Sequence, residues 1–333
     1  MEQARKKEQD LIAESIPISG DISSTFVYSK NGKMPALLNE LEKYANHKSP
    51  VLITGETGTG KEQIVKIIHA LSESNGPLVS INCSAIPPDL LENELFGHEK
   101  GAYTGAGEST DGFIGRAKNG TIFMDEIGEL PLFGQVKILR LIQDGEYEKI
   151  GSEKPIKTNA RFIFATNKNL QNEVRNKNFR TDLFYRINTF EVKLPPLRDR
   201  KEDLPLLIDH FLWRASRQLE RDPFTISDEA KKRLIDYEWP GNIRELENTI
   251  LRAATVVEGN LIEEKHIHIF NPENSLRGKL ELLSKLHQEF TVLEKELIIE
   301  ALDFNQGNIS AAAAALNMSR GSLRYRIKQY ELD

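Results

Sequence analysis

Residues Pro50–Leu71 read PVLITGETGTGKEQIVKIIHAL. An apolar run ends in a glycine-rich turn, and apolar residues then recur at helical spacing after Lys61. Strand, turn and helix in that order suit a phosphate-binding loop, because backbone N–H groups wrap phosphate oxygens and the helix N-terminus adds its positive end. Gly55, Gly58 and Gly60 supply the turn, Glu56, Thr57 and Thr59 complete it, and Lys61 reaches the terminal phosphates. A tight turn alone would explain one glycine, but not three and the lysine. Glu62 stands where the usual pattern has a Ser or Thr on Mg²⁺.

Four more short apolar runs lie downstream: PLVSIN from Pro77, TIFMDE from Thr121, RFIFAT from Arg161 and FEVKLP from Phe190. Alternating with amphipathic helical patterns, they predict a five-stranded parallel, Rossmann-like α/β core covered on both faces, over residues 26–198. Asp125 and Glu126 then fall at the carboxyl edge of the sheet, where open α/β folds bind ligands. Asp125 is expected to hold Mg²⁺, directly or through water, and Glu126 to polarise the attacking water as a general base. Asn82 and Asn167 are polar tips at the same edge, each either a site residue or a turn-forming Asn. Cys83 has no sequence partner to activate it and reads as core filler.

The chain of 333 residues is long enough for two or three domains, and its net charge of −6 confines any nucleic-acid role to a local patch. A single cysteine excludes an internal disulfide and suits a reducing cytoplasm. No apolar run approaches membrane length, and the start MEQARKKEQDLIAES is too charged for a secretion signal, so the expected location is cytoplasmic with no membrane partner. Residues 1–25 read as a leader or linker helix. From about 199 to 270 the pattern is purely helical, residues 271–290 (beginning NPENSLRGK) form a linker, and residues 291–333 make a final all-α unit.

That unit reads as three short helices, broken at Gln306–Asn308 and again at Leu316–Ser319. Asn317 tolerates a left-handed turn, and Ser319 is a credible N-cap. Leu323, Ile327 and Tyr330 form an apolar stripe on the last helix, leaving Arg324, Tyr325 and Lys328 outward. Basic residues but no acidic ones occur from Asn305 to Tyr330, which suits a recognition helix in a DNA major groove; Ser319, Arg320 and Ser322 stand at its start. A helical oligomerisation module with a solvated basic face is the plainer alternative.

One stretch remains, GAYTGA at Gly101–Ala106, too far from any following lysine to be a second phosphate loop. With GETGTGKE, ELFGHEKGAYTGA, GTIFMDEIGEL, FRTDLFYRI, LPPLRDRKEDL and WPGNIRELEN in order, the chain resembles the bacterial enhancer-binding proteins over about residues 26–269. These are AAA+ activators of RNA polymerase carrying sigma-54. The C-terminal segment resembles their Fis-type helix-turn-helix.

The resemblance implies an AAA+ P-loop ATPase with a helical lid, using ATP and Mg²⁺, assembling from dimers into a hexameric ring and binding enhancer DNA. Gly101, Ala102, Tyr103, Thr104, Gly105 and Ala106 match the loop that contacts sigma-54, with Tyr103 where the family has Phe. The family's own phosphate loop also reads Gly-Lys-Glu, so Glu62 matches it. Asn82 and Glu126 match a pair that switches with nucleotide state, Asn167 the first sensor and Arg244 the second. Arg180 and Arg186 match arginines donated to the neighbouring subunit's γ-phosphate, an effect worth roughly 10³–10⁵ in rate. Asn242 and Glu245 are spaced as a helix-capping pair, and Trp239 reads as packing.

Two alternatives stay open: a DNA-binding ATPase that does not engage sigma-54, and a remodelling or helicase-loading AAA+ protein of another branch. The segment before residue 26 is too short for a sensing domain, which implies control by a separate regulatory protein or a regulatory domain missing from this sequence.

Overall fold

A computed structural model gives the structure; it describes residues 15–17, 25–72, 76–103, 107–269, 283, 291, 293–330 and 332. The chain forms two compact units, Met1–His268 and Ile269–Asp333. The expected linker at 271–290 lies almost wholly outside the described residues, as does most of the expected leader. Within that leader, Ser15–Pro17 is a strand antiparallel to Thr25–Val27, which corrects the expected helix there.

The first unit is built on five parallel strands: β1 (Val51–Thr54), β2 (Leu78–Asn82), β3 (Thr121–Asp125), β4 (Arg161–Thr166) and β5 (Phe190–Lys193). Their order is β2-β3-β4-β1-β5, so β1 sits between the two strands latest in sequence. Successive side chains of a strand point to opposite faces, and the core divides accordingly. Leu52, Ile81, Ile122, Met124 and Phe164 join one apolar cluster, while Val51, Ile53, Phe123, Ile163 and Ala165 join another. Every residue of β4 is buried, which explains its continuous apolar run. The register sets Asn82 beside Asp125 and Thr54 beside Thr166, bringing the polar strand tips into one row at the carboxyl edge.

Past β5 the chain turns into the helices Leu204–Gln218, Asp228–Asp236 and Asn242–Val256. The sequence predicts a purely helical lid, but Thr225–Ile226 and Leu261–Ile262 pair as a two-residue parallel bridge. Trp239 is fully buried and donates its indole N–H to the Leu234 carbonyl at 2.8 Å, in keeping with a packing role. No helix among the described residues is long and apolar enough to cross a membrane.

Burial in the lid pushes His210 down to about 4, with Arg214 acting in the same direction. The unfolded chain titrates near 6.5, so between that pH and about 4 the unfolded state binds the extra proton and stability falls as pH falls. The loss at pH 5 is about 2 kcal/mol. Melting at pH 7 and pH 5 is expected to show a smaller drop for His210→Phe than for the unaltered chain, and equal drops would contradict this reading.

The second unit contains a helix over residues 293–304, followed by Ile309–Ala315 and Arg320–Gln329. Ile298, Ala312, Ala313, Leu323 and Ile327 make its small core. Gln306, Gly307 and Asn317 take positive φ at the two breaks, and Ser319 accepts the Ser322 N–H at 3.1 Å as N-cap of the last helix.

Candidate active site

The phosphate loop joins β1 to the helix Lys61–Leu71. Gly58 and Gly60 take φ of 80° and 97°, which side chains disfavour. A Cβ on Gly58 would also stand 2.5 Å from the Gly241 carbonyl oxygen, so glycine is required there twice over. Lys61 is buried, and its ammonium donates to the Gly55 carbonyl at 3.0 Å and the Glu56 carbonyl at 3.4 Å. Burial lowers its pKa, while Glu126 and Asp125 pull it up. Thr59 is fully buried, its hydroxyl donating to the Glu56 carbonyl at 2.8 Å. Glu62 pairs with Lys66 at 3.1 Å on the exposed helix face.

At the tip of β3, Asp125 Oδ1 accepts the Glu126 N–H at 3.0 Å. Glu126 takes a left-handed backbone, φ 52° and ψ 47°, a strained state for a residue with a side chain. This turn aims its carboxylate back over the loop, with Oε1 4.0 Å from the Lys61 ammonium. Glu126 Oε2 accepts the Asn167 N–H at 3.2 Å, and the Asn167 amide donates to Thr57 Oγ1 at 3.0 Å. Asn167 therefore joins Glu126 to the loop. Asn82 is at the same edge, but its oxygen is held by Ser84 N–H and Oγ at 3.0 and 2.7 Å; among the described residues no bond joins it to Glu126. Cys83 is buried and its thiol is pushed up to about 12, by burial first and then by Asp125 and Glu126, in keeping with core filler.

The lid closes one side. Arg244 is exposed, and its N–H lies 3.4 Å from the Gly58 carbonyl. Asn242 is not the expected cap: Gly241 is the N-cap, and Glu245 bonds the Gly241 N–H at 2.8 Å. Asn242 is instead fully buried against the loop. Sequence reasoning also missed Arg198, which forks the Glu56 carboxylate at 2.6 and 2.8 Å. That bond is the first cause of the lowered Glu56 pKa.

Arg180 is the N-cap of the helix Thr181–Ile187, and Arg186 stands exposed in its last turn. Arg180 is paired with its own Asp182 at 2.7 Å, whereas among the described residues the Arg186 guanidinium makes only a long bond to the Ile142 carbonyl at 3.4 Å. Gln135, fully buried, accepts the Arg180 N–H at 2.8 Å and donates to the Leu130 and Asn178 carbonyls. It anchors the start of this helix. Its signal in the sequence is a polar residue on the buried face of LFGQVKILRL.

The glycine-rich loop rises from a closed stem. His98 bridges Thr110 on one side and Ile150 on the other. At the crossing, a Cβ on Gly97 would meet the Thr110 carbonyl oxygen at 2.1 Å. Lys149 ties the stem from beneath, bonding Asp111 at 2.7 Å. Above it Gly101 takes φ 82°, the Ala102 N–H bonds the Glu99 carbonyl at 3.1 Å, and Tyr103 is 47% exposed with its ring 5.1 Å from that of His98. Thr104, Gly105 and Ala106 lie outside the described residues.

On the last helix, Arg320, Ser322, Arg324 and Lys328 are exposed, with Tyr325 70% exposed between them. Arg326 is different: it is ion-paired with Glu294, which also accepts the Tyr330 hydroxyl.

Comparison with known proteins gives the class. The sigma-54 interaction domain matches residues 27–193, the AAA+ ATPase lid domain 198–277, and the Fis-family bacterial regulatory domain 290–330. The chain belongs to the sigma-54-dependent AAA+ transcriptional activators. It is 42% identical to the regulatory protein AtoC of Escherichia coli K12 over 92% of its own length and 68% of AtoC. It is 43% identical to the activator HyfR of the same organism, spanning 89% of this chain but only 46% of HyfR. The crystal structure of NtrX from Brucella abortus in complex with ADP is similar at a TM-score of 0.69 and 30% identity, covering 98% of this chain and 72% of that one. NtrX has also been solved with ATP.

Proposed function

We propose that this chain binds enhancer DNA through residues 291–333, assembles into a ring, and uses ATP hydrolysis to drive the Gly101–Ala106 loop against sigma-54, opening the closed promoter complex. The observation that carries the reading is the coexistence of a built phosphate site with a separate, stem-braced loop whose Tyr103 ring is offered to solvent. Its test is ATP-dependent promoter opening with purified sigma-54 polymerase.

The residues at the carboxyl edge fit a nucleoside triphosphate with Mg²⁺. Lys61 sits within the loop, Gly58 and Gly60 have the backbone the cradle needs, and Asp125 offers a hard oxygen, as Mg²⁺ requires. When bound, Mg²⁺ neutralises charge on the phosphates. Lys61 would leave the loop carbonyls for the terminal phosphates. Glu126, held over the loop by its left-handed turn, would orient the attacking water, and Asn167 would relay the occupancy of the loop to Glu126. Arg244 would meet the nucleotide from the lid. No second reading has an observation of its own, since an ATPase without sigma-54 contact would leave the braced loop without a use.

Arg186 would complete a neighbour's site, with Arg180 in support once released from Asp182. Arg186→Ala is expected to lose hydrolysis in rings by roughly 10³-fold. Mixed with subunits carrying Glu126→Gln it should recover some turnover, because an intact water-orienting site can then meet an intact arginine. Full activity in rings of Arg186→Ala alone would remove the arginine from the reaction.

For DNA, Arg320, Arg324, Tyr325 and Lys328 form the reading face, with Arg326 held back by Glu294. Removing residues after 280 is expected to abolish specific DNA binding while leaving ATP binding and the melting of the first unit unchanged. Enhancer binding by such a truncation would refute this assignment.

A further inference from the structure

Four consecutive residues of the phosphate loop are bonded from outside by the strap leading to the lid and by the start of a lid helix. The Glu56 carboxylate accepts Arg198 Nη1 and Nη2 at 2.8 and 2.6 Å. Asn242 Nδ2 donates to Glu56 Oε2 and to the Thr57 carbonyl, each at 3.1 Å. The Gly58 carbonyl accepts the Ile243 and Arg244 N–H groups at 3.0 and 3.4 Å. The Thr59 carbonyl accepts Arg200 Nη2 at 2.8 Å, from a guanidinium that is itself 1% exposed. Asn242 Oδ1 accepts the Leu197 N–H at 2.8 Å, so one buried amide joins loop, strap and lid helix. Its backbone takes φ 54°, a cost that persists only where the surroundings over-determine it.

The carbonyl and N–H of one trans peptide point in opposite directions. Holding the Thr57, Gly58 and Thr59 carbonyls from the lid side therefore turns the N–H groups of Gly58, Thr59 and Gly60 away from it, and that of Thr59 lies 3.4 Å from the Glu56 carbonyl across the loop. We propose that Asn242 is a positioning residue for the phosphate cradle, setting the aim of the loop N–H groups by where the lid stands. Resting on the nucleotide site proposed above, it makes the lid part of the cradle's own backbone geometry, acting before Arg244 meets any phosphate. Asn is needed because the position must donate to two loop oxygens and accept from Leu197 at once, and in this backbone it is the side chain best able to do so.

The test uses the full chain, with fluorescent ADP for direct binding and ATP for turnover. Asn242→Asp keeps the shape and the Leu197 contact but replaces the donor by an acceptor facing two oxygens. It is expected to weaken ADP binding and raise KM for ATP by at least about tenfold, with kcat at saturation changed by less than about threefold. Glu56→Gln/Asn242→Asp restores a donor across the contact and should recover most of the ADP affinity, which a general loss of stability would not do. Glu56→Ala, on a half-exposed side chain, is expected to weaken ADP binding several-fold. Unchanged ADP affinity in a folded Asn242→Asp, or in Glu56→Ala if Asn242→Asp fails to fold, would overturn the proposal. A double variant no tighter than Asn242→Asp would overturn it too. Lys61→Ala, run alongside, separates the two ideas: its loss of binding with Asn242→Asp unaffected removes the coupling alone, and its retention of binding removes the site and the coupling with it.

Discussion

Glu126→Gln is expected to bind ATP as the unaltered chain does and to hydrolyse it at least about a hundredfold more slowly, the usual scale of general-base assistance. Gln keeps the length of the side chain and an oxygen for the Asn167 N–H, so the loop and its neighbours stay in place. What it loses is the carboxylate held 4.0 Å from Lys61 by a strained turn. Lys61→Ala is expected to fail earlier, at binding, because it removes the only buried ammonium within the loop. Nucleotide binding and steady-state turnover on the two variants separate the roles. Normal turnover by Glu126→Gln would remove Glu126 from the reaction.

Tyr103→Ala is expected to separate hydrolysis from work. Tyr103 is 47% exposed with its ring beside that of His98 on the loop stem, and among the described residues no bond joins it to the phosphate loop, so its loss is expected to leave the phosphate site intact. ATPase turnover should stay within about twofold, while sigma-54 retention and transcription fall to background, as expected when a central aromatic contact is removed from an interface. Tyr103→Phe removes only the hydroxyl and should remain active. Thr104→Ala should behave like Tyr103→Ala. Undiminished transcription by Tyr103→Ala would favour an ATPase that works without sigma-54.

The sheet was legible because its signals are local. The apolar run at Pro50–Thr54, the three glycines and Lys61 are contiguous, and each other strand carries its own polar tip, so the row Asn82, Asp125 and Thr166 follows once the strands are parallel. Ser319 and Asn317 were readable for the same reason, since cap and turn chemistry depends on a few neighbouring residues. Asn242 was misread because its spacing to Glu245 imitates a cap, while its partners come from Glu56 and Thr57, 186 and 185 residues away. Arg198 on Glu56 and Gln135 beneath Arg180 were hidden likewise, as bonds between segments that only folding brings together. The two-residue bridge in the lid has too short a pattern to rise above the helices around it.

Hydrolysis at this loop is proposed to be converted into promoter opening through sigma-54. The most direct measurement is permanganate footprinting of a sigma-54 promoter with purified polymerase, the full chain and either ATP or a non-hydrolysable analogue. Melting is expected only with ATP, only with sigma-54 polymerase, and not with Glu126→Gln or Tyr103→Ala. Melting with the analogue, or none with ATP from a chain that hydrolyses it normally, would contradict the account.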